Sequence, residues 1–522
     1  MKKRLLCGLL ACLLFLASCG EETGLTPVAS LDVSSVSDNK TVYDSFRLPY
    51  NTTASFDPAA TDSSLNLALL SLVAEPLALP NGDGTAAPVL ASDILPSDDF
   101  LSFTVLLSEN VLFSDKTVLT ASDVAASAER IRANRKSAFY SRLSNVAEVL
   151  LSEDGESITF TLLSPDPCFA CMLSFPVMKQ NEDGTFLGTG PYLLSYDENG
   201  APFLLANTAY RDGTPKTKRI ELVGTDNAAS LHYMLSAGTV DAYYTEHPAK
   251  TSGSFSASEC LTPTEGFLVF RGETGLCADT TFCKLLLNEL DREMLLTDSD
   301  LFASPSVRMQ TLYRNTGASR AEEPTDPTET LSPEPTQTPS PEETQTPEPP
   351  DTTLPASLAD YFLQNGYDRV DTEGYRCKAE GETASLTLAC LDNKEALAFS
   401  DALIKQMQAL GIRLEVIPCE STAALSSSRT DLLFAEITFA PDMELSPLLS
   451  LLSDGSLKRN YERYRTGHLS GDEFNDILQN EAPFAFLYTR KGRLLYGRSF
   501  SEDVKTNTYC PYQKIQNWYL YD

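Results

Sequence analysis

The 522-residue chain has three histidines, one tryptophan (Trp518) and an excess of 72 Asp and Glu over 40 Lys and Arg, a formal net charge of −32. Each shortage excludes something. Nucleic-acid binders displace counterions with clustered Lys and Arg, so no nucleic acid is expected as a partner. Three histidines leave little material for an imidazole-based metal centre. There is no Gly-x-Ser-x-Gly elbow, no His-Glu-x-x-His, no phosphate loop and no paired cysteine–histidine metal spacing. No catalytic residue, metal ligand or cofactor is assigned, and the chain reads as a binder and not an enzyme. Beyond the N-terminus no apolar run approaches the ~20 residues of a membrane-crossing helix.

What is present starts at Met1-Lys2-Lys3-Arg4, followed by thirteen mostly apolar residues, Leu5 to Ala17. That is too short to span about 30 Å of hydrocarbon but suits the core of a secretory signal. Leu16-Ala17-Ser18-Cys19-Gly20 has the pattern of a bacterial lipobox, which makes 1–18 a cleaved signal peptide and Cys19 the lipidated residue. Residues 19–41 are small and polar, as a flexible tether requires. The expected location is the extracytoplasmic face of the cell membrane, through a lipid anchor.

Cys7 and Cys12 leave with the signal and Cys19 carries lipid, so nine of the twelve cysteines remain. An odd number precludes a complete set of intramolecular disulfides. Cys168-Phe169-Ala170-Cys171 has redox spacing but lacks the neighbouring base that would stabilise a thiolate, so both read as structural. The sharpest change in composition is 321–355, with ten prolines, nine threonines, nine acids and no Lys or Arg. Such a stretch cannot bury enough surface to offset its ordering entropy, and is expected to be a disordered, dispensable insert.

Elsewhere strand and helix signals alternate. Phe103–Leu107 reads as a strand, Thr120–Asp123 as a capping box, and Glu153-Asp154-Gly155 as a hairpin turn. Lys284–Leu295 reads as one helix. Asn393–Leu410 reads as another, stopped by Gly411 before a strand with Ile412, Leu414 and Val416 in alternation. Repeated helix–Gly–strand units predict α/β lobes with largely parallel sheets.

Ordered motifs extend this reading. Ser55-Phe56-Asp57-Pro58, Leu72-Val73-Ala74-Glu75-Pro76-Leu77 and Ala87–Ala91 are followed by Phe103–Leu107, Val111–Asp115 and Leu119–Val124. Then come Gly188-Thr189-Gly190-Pro191-Tyr192, Asn207 with Tyr210, Ala237–Asp241, Leu358–Tyr367 and Leu410–Val416. This series resembles the extracellular solute-binding proteins of ATP-driven importers for peptides and nickel (bacterial family 5 type), over roughly residues 45–450.

The resemblance implies a two-lobed periplasmic-binding-protein-like (type II) fold. Lobe I is expected over 42–264, with an inserted subdomain near 77–185. Lobe II is expected over 265–484, containing the insert, and 485–522 returns to lobe I. It also implies a monomer that captures a peptide or small solute for an ABC permease and ATPase complex. The alternative use of the fold is as a surface sensor or interaction module without transport.

The chain departs from the family's pattern at Ser114 and Lys116, where His and Gly are usual. The aspartate that pairs with a peptide's amino group follows a Trp-containing stretch in the family; here the stretch runs Ala435 to Glu444 without Trp. An ungapped count puts Ala440 at that aspartate, and a two-residue shift puts Asp442 there. Candidate ligand-binding residues are therefore Asp442 and Glu444, as carboxylates for an amine-bearing solute, and Tyr50, Asn51 and Thr53 beside the Phe56-Asp57-Pro58 segment.

Overall fold

Alternation of apolar and polar residues creates the first strand, β1 (Ser45–Asn51), whose Phe46 and Leu48 point into a core. The computed structural model describes residues 42–181, 185–248, 255–271, 274–317, 355–452, 455–481, 483–497, 500–501 and 504–521. The signal, Cys19, the tether and all of the 321–355 insert except Pro355 lie outside the described residues. Helix α1 (Ser64–Leu70) follows β1, started by Ser63, whose hydroxyl accepts from the Asn66 N–H.

The chain then builds a separate antiparallel sheet from β2 (Ala91–Pro96), β3 (Ser102–Leu107), β4 (Val146–Leu151) and β5 (Ser157–Leu162), in the order β2-β3-β5-β4. Period-2 alternation buries Phe103, Val105, Ile158 and Phe160 against Val124, Ala128 and Ile131 of α2 (Ala121–Arg132). That helix begins where the Asp123 carboxylate accepts from the Thr120 N–H at 2.9 Å and hydroxyl at 2.6 Å.

Three strands return the chain to β1: β6 (Tyr192–Tyr196), β7 (Pro202–Ala206) and β8 (Arg219–Thr225), in the order β6-β7-β8-β1. The C-terminal tail packs here. Tyr512, Ile515 and Trp518 share a core with Phe46, Leu48, Tyr192 and Ile220, and the Thr217 hydroxyl donates to the Trp518 carbonyl at 2.9 Å.

A seven-stranded sheet makes the remainder. Its elements in chain order are β9 (Ala242–Thr245), β10 (Ser256–Phe270), α3 (Thr280–Glu289), α4 (Arg292–Ser299), β11 (Ser385–Leu391), α5 (Lys394–Ala409), β12 (Arg413–Cys419), β13 (Leu432–Thr438), α6 (Gly455–Arg465), α7 (Gly471–Glu481) and β14 (Phe484–Tyr496). The strand order is β9-β14-β10-β13-β11-β12, with the short strand Ala303–Pro305 also on β14. Leu268, Leu432 and Phe434 face α5, while Phe267, Val269 and Leu433 face α6 and α7. Burial on both faces explains the unbroken apolar runs in β10 and β13. The expected limit at 264/265 falls inside β10 and that at 484/485 inside β14. These two strands run as one antiparallel ribbon, with a register shift between Leu261 and Glu265.

Two expectations are corrected. The sheets are not largely parallel: among the named strands only β1–β8, β11–β12 and β11–β13 pair in parallel. Helix–Gly–strand spacing marks where elements start and stop but does not choose their partners. The helix expected over Lys284–Leu295 is two helices, because Leu290 is extended and the Asp291 side chain accepts from the Met294 N–H to cap a new one.

Candidate ligand cavity

Three of the motifs that carry the resemblance, 72–77, 188–192 and Asn207 with Tyr210, converge on one buried carboxylate. Glu75 accepts from the Thr189 hydroxyl at 3.0 Å, from Tyr210 at 3.2 Å and from both ends of the Arg211 guanidinium. Burial pushes its carboxyl up, and Arg211 opposes that. The Gly190 N–H donates to the Val73 carbonyl at 2.9 Å, and the Asn207 side-chain amide donates to the Gly190 carbonyl at 2.9 Å. A side chain at Gly188 would place Cβ 1.8 Å from the Val73 carbonyl oxygen. The Gly-Thr-Gly-Pro-Tyr turn is therefore a clasp that fixes the 72–77 segment.

That clasp flanks a cavity of about 670 Å³. Its walls come from α1, from the Pro76–Leu79 and Ser174–Pro176 segments, from the end of β9 and from the tail at Thr508–Tyr512. The lining mixes apolar side chains, including Leu67, Leu70, Leu79 and Leu231, with polar ones, including Arg142, Glu246, His247 and three tyrosines. Arg142 enters from a 3₁₀ turn (Tyr140–Leu143) anchored by buried Leu143. Its guanidinium lies 4.5 Å from the Phe139 ring centroid and donates to the Ser174 carbonyl. Burial pushes Arg142 down to about 10, and no carboxylate among the described residues forms an ion pair with it.

Among the described residues the Tyr509 hydroxyl is buried without a hydrogen-bond partner, and the buried Tyr512 hydroxyl has no acceptor for its proton. Burial pushes the Tyr509 phenol up to about 12. At the opposite extreme Glu246 is exposed and accepts from the Tyr244 hydroxyl at 3.2 Å and the Thr508 hydroxyl at 3.1 Å.

The candidates read from the sequence lie elsewhere: none of the five lines this cavity. Tyr50 stacks on Phe56 with centroids 5.7 Å apart. The Asn51 carbonyl group of the side chain accepts from the Thr53 N–H at 2.9 Å and hydroxyl at 2.8 Å. Buried Asn66 ties down this strand end, accepting from the Asn51 N–H at 2.8 Å and donating to the Ala54 carbonyl at 3.0 Å. Asp442 is buried where the loop after β13 meets the Pro165–Cys171 segment. Its carboxyl is pushed up to about 7 by burial and then by Asp166 and Glu444, with Arg465 opposing. Glu444 accepts from Ser446 at 2.7 Å and stands 3.8 Å from Arg465. Arg465 also donates to the Pro165 carbonyl at 2.8 Å.

Cys168 and Cys171 are free and buried, and burial pushes both thiols well up, opposite to a reactive thiolate. Among the described residues no His, Cys, Asp and Glu group has the arrangement of a metal site, and no helix is long and apolar enough to cross a membrane. Sequence reasoning missed Arg142, which belongs to no motif. Tyr509 and Tyr512 belong to no motif either.

Residues 85–258 match the bacterial extracellular solute-binding proteins, family 5 (middle region). This is the family that the ordered motifs resemble. Solved structures give the same two-lobed fold over nearly the whole chain. A nickel ABC transporter from Bacillus halodurans superposes with a TM-score of 0.66 at 19% identity, covering 91% of this chain and 99% of that one. The unliganded open form of the periplasmic murein tripeptide binding protein MppA gives 0.65 at 16%, covering 92% and 99%. An ABC transporter substrate-binding protein from Sinorhizobium meliloti gives 0.65 at 17%, covering 90% and 99%. No curated protein matches the chain. The architecture is thus the two-lobed periplasmic-binding type, with the family 5 middle region spanning the β2–β5 sheet and the clasp around Glu75.

Proposed function

We propose that this chain is a lipid-anchored extracytoplasmic binding protein that captures a peptide or other small amine-bearing solute for an ABC permease and ATPase complex. The observation that carries the reading is the cavity of about 670 Å³, a volume that suits a small ligand, with an apolar wall and polar groups that include Arg142 and Glu246. The relatives support it: similar folds include a murein tripeptide binding protein and a nickel transporter component. A cavity filled by side chains would favour the sensor or interaction-module reading; this one is open.

Among the described lining residues Glu246 is the one carboxylate, and it is the group that meets the solute's amine. Asp442 and Glu444 are the second candidate pair for that role, at the neighbouring junction. Calorimetric titration of the mature protein with mixed di- and tripeptides tests capture. Saturable binding is expected, and a folded sample that binds none of them refutes the reading. For the anchor, Cys19→Ser is expected to move the protein from the membrane fraction to the soluble one.

A further inference from the structure

Building on this solute-capture reading, we infer that the cavity selects solutes carrying a carboxylate, which pairs with the Arg142 guanidinium and accepts from the Tyr509 and Tyr512 hydroxyls. Three donors line one cavity, and few acceptors among the described residues receive them. Arg142 has the Ser174 carbonyl and the Phe139 ring, and no carboxylate among the described residues. Tyr509 lies near Arg142 on the cavity wall, and among the described residues its hydroxyl has no partner. Tyr512 is 1% exposed; the Tyr244 backbone N–H lies beside its oxygen, and its proton has no acceptor among the described residues.

Buried polar groups are ordinarily satisfied, and a guanidinium removed from water without a counter-charge is costly. A carboxylate supplies what is missing. It offers two oxygens with about four acceptor positions, a planar match to guanidinium and one compensating charge. A neutral amide in its place brings no charge and adds donors where donors are already in excess.

The test is calorimetric titration of the full mature chain with a set of di- and tripeptides and with the same peptides as C-terminal amides. The free acids are expected to bind and the amides to bind at least tenfold more weakly. Arg142→Gln should weaken the acids at least tenfold and nearly erase their advantage over the amides. Tyr509→Phe should also weaken the acids, while the melting midpoint of the empty protein stays the same or rises, because the lost hydroxyl had no partner. Amides that bind wild type as tightly as the acids overturn the carboxylate assignment and leave solute capture standing. If no peptide in either form binds a folded sample, both fail. If Arg142→Gln does not fold, Tyr509→Phe decides: unchanged affinity for the acids overturns the assignment.

Discussion

Arg308 and Arg142 are two partly buried arginines that join distant segments, and they differ in how completely the protein answers them. Arg308 pairs with Glu265, which is fully buried, and donates to the Gly82 and Thr262 carbonyls. The second Glu265 oxygen accepts from Thr489 at 3.0 Å. Arg142 has one carbonyl and one aromatic ring. Where a charge serves the fold, at the β10–β14 ribbon, the chain provides its full set of partners. Where the charge faces a cavity, the set among the described residues is incomplete, and the proposed ligand would complete it.

The largest expected effect breaks the saturated side. Arg308→Met leaves Glu265 buried and unpaired, and should cost about 3–5 kcal/mol in denaturant unfolding. A loss below about 1 kcal/mol would mean that the two arginines do not differ as described. Next, Gly188→Ala drives Cβ into the Val73 carbonyl. Because backbone must move, a loss of about 2–3 kcal/mol is expected in the same assay.

Asp442 gives a pH signature. Its folded-state carboxyl titrates near 7, above its ordinary 3.8, so the folded state binds the proton more tightly. Stability therefore falls as pH rises from about 4 to about 7, where the unfolded chain has ionised and the folded one has not. Asp442→Asn should be more stable than wild type at pH 8, by about 1–2 kcal/mol, with the gap closing at pH 4. A gap that widens toward acid would reverse the assignment. The smallest expected effect is Arg142→Gln on the empty protein: within about 1 kcal/mol of wild type, since few contacts are lost.

Local signals in the sequence were dependable where the structure is itself local. Asn393 caps α5 by accepting from the Ala396 N–H at 2.9 Å, and Gly411 ends the segment with a φ of 80° that other residues avoid. The Thr120–Asp123 box and the turn at 153–155 are of the same kind. The motif series was legible as a family pattern, and three of its pieces, 72–77, 188–192 and Asn207 with Tyr210, meet at Glu75. The cavity was not legible. Arg142, Tyr244 and Tyr509 come from three segments far apart in the chain, and nothing local to any of them encodes that meeting. Nor does strand alternation choose between parallel and antiparallel partners, which is why the sheets were misjudged. Asp442 stands two residues from the family's aspartate position, and it lies buried beside Asp166 and Arg465.

The central claim is that the unanswered donors of the cavity belong to a carboxylate-bearing ligand. Mass spectrometry of solutes released on denaturing the purified protein tests this most directly. The account predicts a carboxylate-bearing solute recovered near one equivalent from wild type and lost from Arg142→Gln. A solute without a carboxylate, or equal recovery from the variant, would contradict it.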